Sequence, residues 1–127
     1  MTPFGREIRK MRSERGVTLS DMAKALQVSP AYLSALEHGK RGKPSKPLVY
    51  QICSYFNIIW DDAEKIQKIA AVSRPRVVVD TRELTSDATL LANLLADRIQ
   101  TLSEDKIRFL IKYLSLKKEH EPDKTSH

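Results

Sequence analysis

The chain has a single cysteine, Cys53, among its 127 residues. No intramolecular disulfide can form, and a lone thiol in an apolar stretch is expected to be a small buried hydrophobe rather than a redox centre. No apolar run approaches the roughly 18 residues that a bilayer-crossing helix needs, so no membrane partner is expected. The first residues, MTPFGREIRKMR, are charged and lack the apolar core of a signal peptide, which makes the cytoplasm the expected location. Three histidines and one cysteine nowhere adopt metal-ligand spacing, and there is no Gly-rich phosphate loop or nucleophile elbow. The expectation is therefore a protein with no metal, no cofactor and no catalytic residues, not an enzyme. The densest acidic cluster, Asp61-Asp62-Ala63-Glu64, occupies consecutive positions, which suits the first turn of a helix better than a catalytic or metal site.

What is present is an ordinary globular composition, 41% apolar and 30% charged, long enough for one core or for a small domain with a dimerising extension. The net charge of +6 is unevenly placed. Residues 1–56 hold ten Lys/Arg against four Asp/Glu, whereas residues 57–127 hold twelve of each. A basic half attracts a phosphate backbone through ionic contacts and counterion release. A merely solvated basic face would carry the same charge, so charge alone does not decide.

Patterning is more specific. Phe4, Ile8 and Met11 form one stripe of a helix that Gly16 ends, with Arg6, Arg9, Lys10, Arg12 and Arg15 on the remaining surface. Thr18 is placed as an N-cap, with Asp21 where a capping box puts its acid. Met22, Ala23 and Leu26 then face inward. After Gln27-Val28, Ser29 can cap and Pro30 suits the first position of a second helix. Leu33 and Leu36 face inward there, leaving Pro30, Ala31, Tyr32, Ser34, Ala35 and His38 outside, and Gly39 stops the helix. Two short amphipathic segments around a four-residue break read as a helix-turn-helix. His38 to Pro44 is a basic loop with two glycines, able to follow a nucleic-acid backbone or simply to be solvated. Ser45 can cap a further helix whose stripe of Leu48, Val49, Ile52, Cys53 and Phe56 closes the core.

The run GVTLSDMAKALQVSPAYLSALEHGKRGKP resembles the DNA-binding domain of the Xre family, the phage repressor and Cro type of helix-turn-helix regulator. The resemblance covers about residues 4–60. It rests on Gly16 before Thr18, Ala23, Ser29, Leu33, the Leu36-Glu37 pair, Gly39-Lys40-Arg41 and Pro44. It implies an all-α bundle of five short helices, and an ion pair between Arg12 and Glu37 that can also face a phosphate. Pro30, Ala31, Tyr32, Ser34 and Ala35 become base-contact candidates. Leu19 through its backbone N–H, Tyr32, Lys40, Arg41, Lys43 and Lys46 become phosphate-contact candidates. Two departures stand out. Gln27 occupies a turn position often held by glycine, which implies either a strained, positive-φ geometry for a residue bearing a side chain or an adjusted turn. Pro30, Ala31 and Ala35 replace residues able to bond adenine bidentately, so readout leans on Tyr32, Ser34, methyl contacts and DNA shape.

Beyond Asn57 the charge is balanced. Trp60 is expected in the core, or lining an interface, and Asp61 opens a helix continued by Ile66, Ile69 and Ala70 that Ser73 and Pro75 break. Residues 76–80, RVVVD, read as a short β-strand pairing with the same strand of a second copy, or as an extended segment docked on helices. Thr85 or Ser86 then caps a helix carrying Leu90, Leu91, Leu94, Leu95 and Ile99, and Ser103 caps another carrying Ile107, Leu110, Ile111 and Leu114. Their short connection predicts an antiparallel hairpin. Its apolar faces exceed what two helices can cover, so a homodimer is expected, with Val77, Val78, Val79, Leu91, Leu94, Leu95, Leu110, Ile111 and Leu114 as interface candidates. Residues 117–127 read as a disordered tail, with His120 and His127 solvated.

Three segments follow: a DNA-binding domain at 1–72, a strand-plus-two-helix dimerisation module at 73–116, and the tail. The expected function is a dimeric regulator of transcription, a repressor on a pseudo-palindromic duplex operator, associated with the nucleoid when bound. The alternative is an antitoxin whose residues 76–118 mask a protein toxin while the N-terminal half autoregulates.

Overall fold

Thr2 starts the first helix: its hydroxyl accepts the Gly5 amide at 3.0 Å, and Pro3 stands at the first position, where no helical hydrogen bond is lost. A computed structural model describes residues 1–116 of the chain, so the expected tail, with His120 and His127, lies outside the described residues. These form seven α-helices: α1 Pro3–Arg15, α2 Leu19–Leu26, α3 Pro30–Glu37, α4 Lys46–Tyr55, α5 Trp60–Ala71, α6 Ser86–Arg98 and α7 Glu104–Ser115, with a short 3-10 turn at Ile99–Thr101. The chain divides into two units, Met1–Val78 and Val79–His127.

In the first unit α1 packs on α3 and α5, α2 on α3 and α4, and α4 on α5. The core they enclose holds the expected stripes: Phe4, Ile8 and Met11 of α1, Met22, Ala23 and Leu26 of α2, Leu33 and Leu36 of α3, and Leu48, Val49, Ile52, Cys53 and Phe56 of and after α4. Ile66 and Ala70 close it from α5, with Ile69 partly buried beside them. Burial pushes the Cys53 thiol up from its ordinary value, as suits an inert core residue.

The breaks between helices are hydrogen-bonded stops. Gly16 takes φ +63, and the Val17 amide reaches back to the Arg12 carbonyl at 2.9 Å. Gln27 takes φ +60, one of the two geometries that the departure from glycine implies, and the Val28 amide reaches the Ala23 carbonyl at 3.0 Å. Asn57, a residue tolerant of this geometry, has φ +55 after α4, with the Ile58 amide 2.8 Å from the Cys53 carbonyl.

Three expectations are corrected. Trp60 is not core: it is 84% exposed, at φ +56, where α5 begins. The Ile66 and Ala70 face of α5 already meets the core, and a residue at the helix start points away from it. No strand forms at residues 76–80, nor elsewhere among the described residues. An isolated extended run has no neighbouring strand with which to pair its amides. Asp80 also turns the chain, accepting the Arg82 amide at 3.0 Å and its guanidinium at 2.7 Å, which holds its carboxyl below the usual range. Finally, α6 and α7 do not form a packed hairpin. Thr85 and Ser103 cap them, but no residue of either helix is buried. The 3-10 turn and extended Leu102 carry the chain on between the two helices instead of folding one face onto the other.

Candidate nucleic-acid interface

The start of α2 is set by a complete capping box. Thr18 Oγ1 accepts the Asp21 amide at 3.0 Å, and the Asp21 carboxylate accepts the Thr18 amide at 3.2 Å. Hydrogen bonding to its carboxylate from Thr18, through the side chain first and the backbone amide second, holds the Asp21 carboxyl below its ordinary range. Leu19, half-buried against the core, sits at the first position of α2, where the backbone amide points out along the helix axis.

Helix α3 is fixed at both ends. Ser29 Oγ accepts the Tyr32 amide at 3.0 Å at its start. At its end the Arg12 guanidinium donates from Nη2 to both Glu37 oxygens, at 2.9 and 3.1 Å, with the Glu37 side chain 2% exposed. The Glu37 carbonyl meanwhile accepts the Thr2 amide at 3.1 Å. Gly5 allows this approach, since a Cβ there would overlap the Glu37 carbonyl. These contacts anchor the helix to α1, so its outer face is held rigidly relative to the core.

On that face Pro30 and Ala31 are exposed, whereas Tyr32, Ser34 and Ala35 are half-buried. Beside it the basic loop presents Lys40, Arg41 and Lys43, followed by Lys46 at the start of α4, all exposed and in no ion pair among the described residues. The Arg41 guanidinium lies 5.5 Å from the centre of the Tyr32 ring, which ties one cation of the loop to the flank of α3. His38 Nδ1 bonds the Ser34 carbonyl at 2.9 Å at the helix end. A firmly anchored helix with an outer face of small side chains and Tyr32, a helix N-terminus behind it and unpaired cations alongside form a surface suited to the major groove and its flanking phosphates.

Thr2 and Gly5, which hold the end of α3, were not singled out from the sequence, and Ser73 was read only as a helix breaker. Ser73 Oγ accepts the Phe4 amide at 2.9 Å and donates to the Ile69 carbonyl at 2.6 Å. Gly5 carried the one readable signal, a glycine inside a helical stripe. Contacts 35 and 69 residues apart in sequence leave no local pattern.

The fold and this surface define a helix-turn-helix DNA-binding domain. Residues 3–64 match the family model described as a helix-turn-helix domain. The HTH-type transcriptional regulator DdrOP3 of Deinococcus deserti is 33% identical over 102 residues, 80% of this chain and 78% of that protein. The HTH-type transcriptional repressor RghR of Bacillus subtilis is 25% identical over 122 residues, 91% of this chain and 90% of the relative. The HTH-type transcriptional regulator RamB of Mycobacterium tuberculosis is 33% identical over 89 residues, 70% of this chain but 17% of the relative. No solved structure matches the chain. The chain belongs to the Xre-like helix-turn-helix transcriptional regulators: a DNA-binding protein and not an enzyme. Among the described residues no helix is long and apolar enough to cross a membrane.

Proposed function

We propose that the protein is a homodimeric repressor that sets one α3 into each half of a pseudo-palindromic operator, the half-sites about one DNA turn apart. The observation that carries this reading is the rigidly anchored α3 with the unpaired cations Lys40, Arg41, Lys43 and Lys46 beside it. Base-edge contact falls to Pro30, Ala31, Tyr32, Ser34 and Ala35. Phosphates fall to the four cations, to Tyr32 and to the Leu19 amide. With so few polar groups on α3, the operator is read in large part through methyl contacts and DNA shape. Dimerisation falls to the second unit and the residues before it, where Val78 is 88%, Leu91 66% and Leu114 74% exposed. Apolar faces left this open call for a covering partner, and a second copy supplies one of matched chemistry.

Footprinting on the DNA upstream of the protein's own gene tests the reading. A protected inverted repeat at low salt is expected, and its absence with folded protein overturns the proposal. The exposed faces of α6 and α7 also suit the alternative, an antitoxin covering a protein toxin. A stable homodimer that purifies with no second protein counts against that alternative.

A further inference from the structure

Ser73 lies just past α5, yet it is 1% exposed and bonded at both ends of its hydroxyl, to the Phe4 amide and the Ile69 carbonyl. Two residues on, Pro75 lies beside Gly39, just past the end of α3. A methyl added at Gly39 would meet Pro75 Cβ at 3.3 Å and Thr2 Cγ2 at 2.8 Å, and Gly39 itself takes φ +82. Only glycine fits that position, on conformation and on space. The segment leaving α5 thus lies against Gly39, at the start of the basic loop.

Arg74 and Arg76 flank this seated proline. Both are exposed, and neither is in an ion pair among the described residues. Pro75 fixes its own φ and keeps Arg74 out of the helical region, and the chain bends at Pro75 and Arg76. A solvated tether would have no reason to begin with a buried serine and a docked proline. Two exposed guanidinium groups flanking a proline beside Gly39 add to the charge of Lys40, Arg41 and Lys43, and each can hold a phosphate bidentately.

We propose that Arg74 and Arg76 form a further phosphate-binding element, an arm that extends the DNA grip past the C-terminal end of the recognition helix. The proposal rests on the DNA-binding reading of α3 and its loop. It assigns binding energy without sequence preference to residues outside the helix-turn-helix.

The test is the salt dependence of affinity for a mixed-sequence duplex of about 30 base pairs, measured by fluorescence anisotropy with the full chain. Each phosphate contact contributes about 0.9 to the slope of log affinity against log salt. The double variant R74A/R76A is expected to lower the slope by about 1.8, and R74K/R76K to keep it. R74Q/R76Q, which preserves side-chain bulk, should match the alanine pair and guards against a packing effect. An unchanged slope in both neutral variants, with unchanged thermal unfolding, overturns the arm. A wild type that binds no duplex at low salt overturns the DNA-binding reading beneath it, and is told apart because every variant is then silent.

Discussion

At the scale of single residues the most consequential pair is Arg12 with Glu37. A carboxylate so fully buried is tolerated because both its oxygens are held by one guanidinium. Removing only the cation, in Arg12→Ala, leaves a buried charge uncompensated and should cost about 3–5 kcal/mol in urea unfolding. The double variant Arg12→Met with Glu37→Leu should recover most of that stability, since the pair is then replaced by apolar volume. DNA binding tells the roles apart: if the pair also faces a phosphate, the double variant remains weaker on DNA although it is stable. Asp21 makes a pH-dependent prediction. Its carboxyl is depressed in the folded state, so its capping contribution is present above the ordinary carboxylate pKa of about 3.9 and is lost as pH falls through the lower folded value. Asp21→Asn should therefore melt below wild type at neutral pH, and the two melting curves should converge under acid. A gap that persists there would mean the carboxylate is not the source.

At the scale of elements, α3 divides its residues between two jobs. Leu33 and Leu36 hold it down, and Leu33→Ala should cost about 2–5 kcal/mol by chemical denaturation, with DNA binding lost in proportion to unfolding. The outer residues should behave differently. Ser34→Ala should leave stability nearly unchanged, Tyr32→Ala should lose some because its ring packs partly on the core, and both should alter which sequence is preferred in a selection from random duplexes. Arg41→Ala with Lys43→Ala should instead weaken all duplexes alike and flatten the salt dependence by about 1.8. Arg41 is also stacked on Tyr32, so the two changes are coupled and should not add. Helices α6 and α7 are a contrasting case. Both are well capped, at Thr85 and Ser103, and yet neither buries a residue. Caps and amphipathic spacing are enough to specify a helix, but most helical stability comes from packing an apolar face.

At the scale of the molecule that uncovered face predicts the assembly. Light scattering should give twice the 14.5 kDa chain mass, and Leu94→Asp with Leu110→Asp should return it to one chain. Retention of the doubled mass by that variant would remove these helices from the interface. On the proposal that each half-site is held by its own copy, the monomeric variant should still bind DNA, but weakly and without the cooperation of two linked sites.

The helices and caps of the DNA-binding unit were legible because their causes are local. A hydroxyl three residues before an amide, an apolar residue every third or fourth position and a proline at a helix start act over one or two turns. Positive φ could be named as one of two geometries at Gln27 for the same reason, once the family resemblance marked its position. What depends on distant partners was misread or missed. Three consecutive valines have strand propensity, but a strand needs a neighbour that the described chain lacks. Trp60 has a core composition, but the helix it opens turns its buried face elsewhere. Gly5, Gly39, Ser73 and Pro75 matter only because the fold brings the end of α5 and the start of α1 to the end of α3. The sequence by itself determined the helices of the DNA-binding unit and their class, since backbone propensity and side-chain period are local properties. Only the tertiary structure decided how the recognition helix is held and which residues surround it, because close approach is a property of surfaces that meet in space.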